Sequence, residues 1–230
     1  MTTPVPGRLA VLHTVTGLVD FFRPLLSEHL PDVATYHMVD ESLLEDAIAN
    51  VDAPSLRWRL ADHVASAHKA GVAGILVTCS SVSELVDTVR PLSSVPLFKI
   101  DDAMAASAVG DAKNIALICT TSSTVAPSTR QLMRAASEAG REVEVRASLV
   151  AGAFDALKAG NRDRHDELVL QECMRSAEDA EIIVLAQASL ARLEDSVRER
   201  AGRRVVSSPV PCLKSIARRL GASAVGRGAN

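Results

Sequence analysis

Val77–Arg90 reads "VTCSSVSELVDTVR" and Leu185–Arg198 reads "LAQASLARLEDSVR", 108 positions later. The two stretches share a serine, a leucine, an aspartate, a valine and an arginine in register, but the second has Gln187 where the first has Cys79. A second pair keeps the same order: "LAVLHT" (Leu9–Thr14) and "IALICT" (Ile115–Thr120), offset by 106. Two similar offsets in one order are hard to produce by chance, so the chain reads as two copies of one βα unit.

Working outward, short β-rich runs alternate with longer amphipathic stretches, the pattern of a parallel α/β protein. Strands are expected at Leu9–His13, Val33–Met38, Gly74–Thr78, Pro96–Ile100, Ile115–Cys119, Glu142–Ser148, Ile182–Ala186 and Val205–Ser207. In "PSLRWRLADHVASAHKAG", Leu56, Leu60, Val64 and Ala67 mark one helical face, and Gly71 suits the cap. "TRQLMRAASEAGREVEV" reads as a helix closed by Gly140 before a strand. The first lobe is expected at 1–111 plus 206–230, with a last strand and helix returning to it, and the second at 112–205. The expected fold is thus α/β, with two pseudo-symmetric lobes, each a parallel sheet flanked by helices, and an interlobe active-site cleft. Small ligands favour such clefts beyond the carboxyl ends of parallel strands. Cys79 and Gln187 should face each other across it. The first eight residues and the tail "GASAVGRGAN" read as poorly ordered.

Composition removes several function classes. With 47% apolar and 23% charged residues, a net charge of −3 and no Lys/Arg-rich block, there is no nucleic-acid footprint. Aromatic residues are 3%, too few for stacking platforms, and the apolar runs are too short to span a bilayer. "RLAVLHTVTGLVDFF" reads as a strand entering a helix, not a signal peptide. The four cysteines are far apart without a CxxC pair, so no disulfide framework, zinc knuckle or other metal set is read. A cytoplasmic location is expected.

Cys79 lies between a strand end and a helix start. Ser81 with Glu84 fits a capping box, and the unpaired N–H groups and helix dipole there should lower the thiol pKa. The same groups, with the Ser80 and Ser81 hydroxyls, would seat a carboxylate. A buried structural cysteine is the alternative; the polar, strand-terminal position and the recurrence of the motif favour the reactive reading. Cys119, Cys173 and Cys212 read as small core or surface residues. At the second site Gln187 can hydrogen-bond but has no proton to exchange near neutral pH; Ala188 and Ser189 follow it, Ser189 matching Ser81. Thr121, Ser122 and Thr124, in the hydroxyl-rich run after the fifth strand, offer an anion pocket or, equally, helix caps. His13 and Thr14 end the first strand and could line the site, although a lone histidine is more often structural. Asp101 and Asp102 either edge the cleft or cap a helix.

These residues resemble the aspartate/glutamate racemase superfamily, which includes hydantoin racemases, maleate isomerases and arylmalonate decarboxylases. The resemblance runs from about Leu9 to Leu220 and rests on "VTCSS", "TTSSTVAPS", "VPLFKIDDAMA" and "LAQAS". It implies two pseudo-symmetric α/β lobes and a cofactor-independent racemase or isomerase. In such enzymes a cysteine from each lobe removes and returns a proton on opposite faces of a carbon beside a carboxylate. Cys79 matches the first cysteine, and Gln187 stands at the second. The Asp-Ser motif that amino-acid racemases carry after strand 1 is replaced by "HTVTG". The expected partner is a small-molecule carboxylate or carbonyl substrate, with no nucleic acid or membrane; a homo-oligomer is left open. The catalytic candidates are Cys79, as acid/base or nucleophile, and Gln187, as a polar contact. Alternatives are a one-thiol decarboxylase, other lyase or hydrolase, or a catalytically retired binding protein.

Overall fold

A computed structural model describes residues 7–49 and 53–225. The first sheet contains β1 (Leu9–His13), β2 (Thr35–Val39), β3 (Gly74–Val77) and β4 (Leu97–Lys99), and the second β5 (Asn114–Cys119), β6 (Glu144–Leu149), β7 (Ile182–Leu185) and β8 (Arg204–Ser207). All pairings are parallel, and the strand orders, β2-β1-β3-β4 and β6-β5-β7-β8, are the same pattern used twice. All eight expected strands are present, within a few residues at their ends.

The reason is in the side chains. β1, β3 and β7 are short runs of mainly aliphatic residues, buried along their whole length, as strands covered by helices on both faces must be. The edge strand β6 carries exposed Glu144 and Arg146, which bond each other.

Helices cover both faces of each sheet. In the first unit these are α1 (Leu18–His29), α2 (Ser42–Ile48), α3 (Ala53–Lys69) and α4 (Ser83–Val89). One face of that sheet, with Ala10, Leu12, Ile75 and Val77, packs against Leu43 of α2, Leu56, Leu60 and Val64 of α3, and Val86 and Val89 of α4. Each fully buried Leu or Ile there contributes about 1.5–3 kcal/mol relative to exposure. Gly71 (φ +71°) follows α3, where its N–H meets His68 O. In the second unit α6 (Ser122–Glu138) packs on one face, and α7 (Ala153–Lys158), α8 (Arg162–Ser176) and α9 (Glu194–Ala201) on the other. Gly140 (φ +63°) closes α6, and Arg141 N–H reaches back to Ala136 O, the six-to-one bond of a left-handed helix end.

Four expectations change. β8, read as returning to the first lobe, pairs with β7 in the second sheet; only α10 (Pro209–Val225) joins the first unit, where it packs on α1. Conversely α5 (Asp102–Asp111) follows β4 but packs on α6 and belongs to the second unit, which spans Asp101–Ser208. Each sheet thus keeps its own last strand, and the helix after that strand goes to the other unit. Helix α6 starts at Ser122, seven residues before the expected Thr129, and runs through Pro127, which removes one N–H donor without ending it. Residues 221–225 are helical; the remaining residues expected to be poorly ordered, apart from Gly7 and Arg8, lie outside the described ones. Among the described residues no helix is long and apolar enough to cross a membrane.

Candidate active site

In parallel sheets the carboxyl ends of the strands carry the chemistry, and both sheets of this chain end in polar side chains. In the first unit, β3 delivers Cys79 in an extended conformation (φ −108°, ψ 116°), followed by a tight 3-10 turn over Ser80–Val82 and then α4. Cys79 is buried, with 8% of the residue exposed. Its sulfur is hydrogen-bonded by the hydroxyls of Thr14 and Ser81 and by the backbone N–H groups of Ser81 and Val82. Ser80 is buried and Ser81 half-buried.

Two sequence expectations are corrected here. The helix start moves: α4 begins at Ser83 with Val82, not Ser81, in the cap position, because a 3-10 turn over Ser80–Val82 intervenes. Nor is the thiol pKa lowered. Burial pushes it up, and the bonds from Thr14, Ser81 and Val82 only oppose that shift. Cys79 therefore rests as a protonated thiol.

His13 is fully buried, so its ring is shielded from solvent. Its Nδ1 lies 3.0 Å from Thr78 Oγ1 and its Nε2 2.8 Å from His37 Nδ1, while Phe22 packs beside the ring. Burial, and then the neighbouring His37, bring the pKa of His13 down to about 4, so it is neutral at physiological pH. Thr14 is 2% exposed, with its hydroxyl on the thiol. Beyond β2, Asp40 is held by Ser42, His63 and Arg59. Burial pushes its carboxyl up, but these partners outweigh it and hold it at about 2.

In the second unit Gln187 repeats the backbone of Cys79 (φ −115°, ψ 139°) and precedes a 3-10 turn over Ala188–Leu193. Its side chain is fastened to β5's end. Thr120 N–H donates to Gln187 Oε1 at 2.8 Å, and Gln187 Nε2 donates to Thr120 Oγ1 at 2.9 Å and to Thr121 Oγ1 at 3.2 Å. Thr121 occupies the cap position of α6 in an extended conformation without a side-chain cap bond, and its hydroxyl bonds Thr124 Oγ1 at 2.7 Å. Thr121, Thr124 and Ala188 are buried, Ser189 is half-buried and Ser122 is exposed in the first turn of α6.

The structure therefore brings Cys79, Thr14, Ser80 and Ser81 together in one unit, and Gln187, Thr121, Thr124, Ala188 and Ser189 at the matching place in the other. Asp102 accepts from Gln131 Nε2 at 2.8 Å, and Asp101 occupies the cap position of α5 without a side-chain cap bond. Cys119, Cys173 and Cys212 are buried core residues; burial alone pushes Cys119 up to about 12, and burial with Glu172 does the same for Cys173. Sequence reading missed His37, which looks like an ordinary edge-strand residue until β2 is placed beside β1.

The profile of the Asp/Glu/hydantoin racemase family matches residues 15–215. Among solved structures, glutamate racemase RacE1 from Bacillus anthracis aligns with a TM-score of 0.75 at 14% identity, covering 94% of this chain and 82% of that one. Aspartate racemase from Picrophilus torridus gives 0.71 at 12% identity, covering 93% and 94%. A glycine-to-cysteine mutant of arylmalonate decarboxylase gives 0.59 at 18% identity, covering 94% and 93%. No curated protein sequence matches the chain. The paired parallel sheets, the repeated strand-end sites and the profile match over most of the sequence agree: this chain belongs to the Asp/Glu/hydantoin racemase family.

Proposed function

We propose that the chain is a cofactor-independent enzyme that transfers a proton at a carbon next to a carboxylate or carbonyl of a small molecule, using Cys79 as its one exchanging thiol. The observation that carries this reading is the set of four donors on the Cys79 sulfur: two hydroxyls and two backbone N–H groups. A purely structural cysteine needs no such set; a thiol that must become a thiolate during turnover does, because each donor stabilises the charge. Racemase- or isomerase-type chemistry is the family's pattern. Gln187, bound to Thr120 and Thr121, acts as a polar substrate contact. The free, buried state of all four cysteines supports a reducing, cytoplasmic setting.

The resting protonation state favours a second reading, a one-thiol lyase. Burial keeps Cys79 protonated, so it begins turnover as an acid. In a decarboxylation the carbon–carboxylate bond would break with release of CO2 and leave its electron pair on the adjacent carbon. The Cys79 proton would then pass to that carbon, and the thiolate would be reprotonated from water.

Incubation of small carboxylic acids with the protein in D2O, followed by NMR, tests both. Deuterium entering the carbon next to the carboxylate of an intact substrate supports the isomerase reading, and deuterated product with loss of CO2 supports the lyase. Both signals should vanish in Cys79→Ala. Turnover that survives this substitution would remove Cys79 from the mechanism. Binding of a carboxylate without exchange or cleavage would leave a retired binding protein.

A further inference from the structure

Adjacent residues at the ends of β1 and β3 form two successive side-chain pairs. Thr14 bonds Cys79, and one residue earlier His13 bonds Thr78. Backbone pairing continues up to this point, with Thr78 N–H donating to Leu12 O at 3.0 Å. The Thr78 hydroxyl also donates to Leu12 O, at 3.1 Å. That spends its only proton, so Thr78 Oγ1 must accept from His13 Nδ1–H. His13 Nε2 is then a bare acceptor, and the donor facing it is His37 Nδ1–H on β2. One assignment satisfies every contact: His37 to His13 to Thr78 to Leu12, a polar chain crossing β2, β1 and β3. The two rings lie nearly parallel, 18° apart.

The second unit has no counterpart. There the positions of His13 and Thr78 are taken by Cys119 and Ala186, both buried in an apolar cluster. The pair above them, Thr120 with Gln187, is retained. The polar chain is therefore confined to the unit that carries the thiol.

We propose that His37 is a positioning residue for Cys79: by fixing the tautomer of His13 it locks Thr78 and the ends of β1 and β3, which holds the Thr14 hydroxyl on the sulfur. This rests on the reading of Cys79 as the exchanging thiol. Both histidines are neutral at physiological pH. Burial and His37 lower the pKa of His13; burial and Arg23 of α1 lower that of His37, against a smaller opposing effect from Asp20. Neutrality is what the chain requires, since a protonated His13 would put an N–H on both sides and clash with the His37 donor.

The test is the pH profile of Cys79 alkylation by iodoacetamide, read on the Cys79 peptide by mass spectrometry alongside the melting temperature. His37→Phe keeps a ring and removes the donor; His37→Gln keeps an N–H donor; Thr78→Val removes the acceptor at nearly constant shape. His37→Phe and Thr78→Val should move the alkylation midpoint upward, slowing the reaction about tenfold per pKa unit at a fixed pH below it. His37→Gln should stay near the parent. Should His37→Phe fail to fold, Thr78→Val and His37→Gln carry the same contrast. Thr14→Val separates the two levels of the reading. If it raises the midpoint while His37→Phe and Thr78→Val only lower the melting temperature, the positioning role is overturned and the thiol reading stands. If even Thr14→Val leaves the midpoint in place, the donors around Cys79 do not tune it, and both fall.

Discussion

Thr14 with Cys79, and Thr120 with Gln187, occupy the same places at the ends of two sheets with the same strand order. Both Cys79 and Gln187 are extended residues leading into a 3-10 turn, and both are hydrogen-bonded by the threonine at the end of the neighbouring central strand. The backbone is repeated; the chemistry is not. A thiol can take a proton up and give it away, whereas an amide can only orient a partner. The fold thus supplies two equivalent strand-end positions, and side-chain identity alone decides which of them can exchange a proton.

Removing the Cys79 thiol should have the greatest consequence. Cys79→Ala should lower turnover by about 10²–10⁴-fold, the range for one placed acid–base group. The melting temperature should move little, because the thiol lies at a strand end where the turn after it is held by backbone bonds. Steady-state kinetics on whichever carboxylate gives exchange in D2O, with circular dichroism as the folding control, would check it.

Gln187→Cys restores the symmetry. If the second position meets the same substrate as the first, the variant should gain deuterium exchange with a molecule the parent binds, on the order of 10²-fold over the parent. Weaker turnover without new exchange would instead make Gln187 a working substrate contact, and a one-thiol lyase or hydrolase would replace the racemase-type reading.

A third change imposes the second unit's plan on the first. His13→Cys combined with Thr78→Ala installs the pair found at Cys119 and Ala186. The swap leaves the His37 donor without its acceptor and a gap beside Phe22. A loss of about 2–4 kcal/mol in urea unfolding is expected from the cavity and the unmet hydrogen bond together. Unchanged stability would mean that the polar chain contributes nothing to the fold.

Much of this was legible in the sequence, for a local reason. Strands such as "GILV" and "IIVL" announce themselves by unbroken aliphatic runs, and the repeat by its constant offset, so strand number, fold class and the equivalence of Cys79 and Gln187 needed no coordinates. What escaped depends on neighbours distant in sequence. His37 sits in an unremarkable run, "TYHMV", and gains meaning only when the register places β2 against β1. The thiol's raised pKa escaped because a helix start was visible in "SSVSEL" while the 3-10 turn and the burial were not. The first turns of α6 also escaped: Ser122–Ser128 carry mostly hydroxyls and a proline, yet the one missing N–H of Pro127 does not stop the helix.

The smallest expected effect concerns the next residue pair along the edge. Asp40 N–H donates to His13 O at 2.9 Å, and Val150 N–H donates to Cys119 O at 2.8 Å, so the two residues are equivalent in backbone. Val150 joins an apolar cluster, whereas Asp40 ties α2 and α3 to the sheet through Ser42, Arg59 and His63. Its folded pKa, about 2 against an ordinary 3.8, fixes the sign of the pH dependence. A depressed carboxylate stabilises the folded state fully above the unfolded value, and that stability is lost as pH falls from about 4 towards 2. Asp40→Asn should therefore cost about 1–2 kcal/mol at pH 7, given 1.36 kcal/mol per pKa unit and a partly exposed cluster. The gap between parent and variant should close on acidification, and urea unfolding at pH 7, 4 and 2.5 would show it. A gap that stays constant over that range would mean that Asp40 acts through its shape and neutral hydrogen bonds, as Val150 acts through packing, and the two units would differ less at this edge than their side chains suggest.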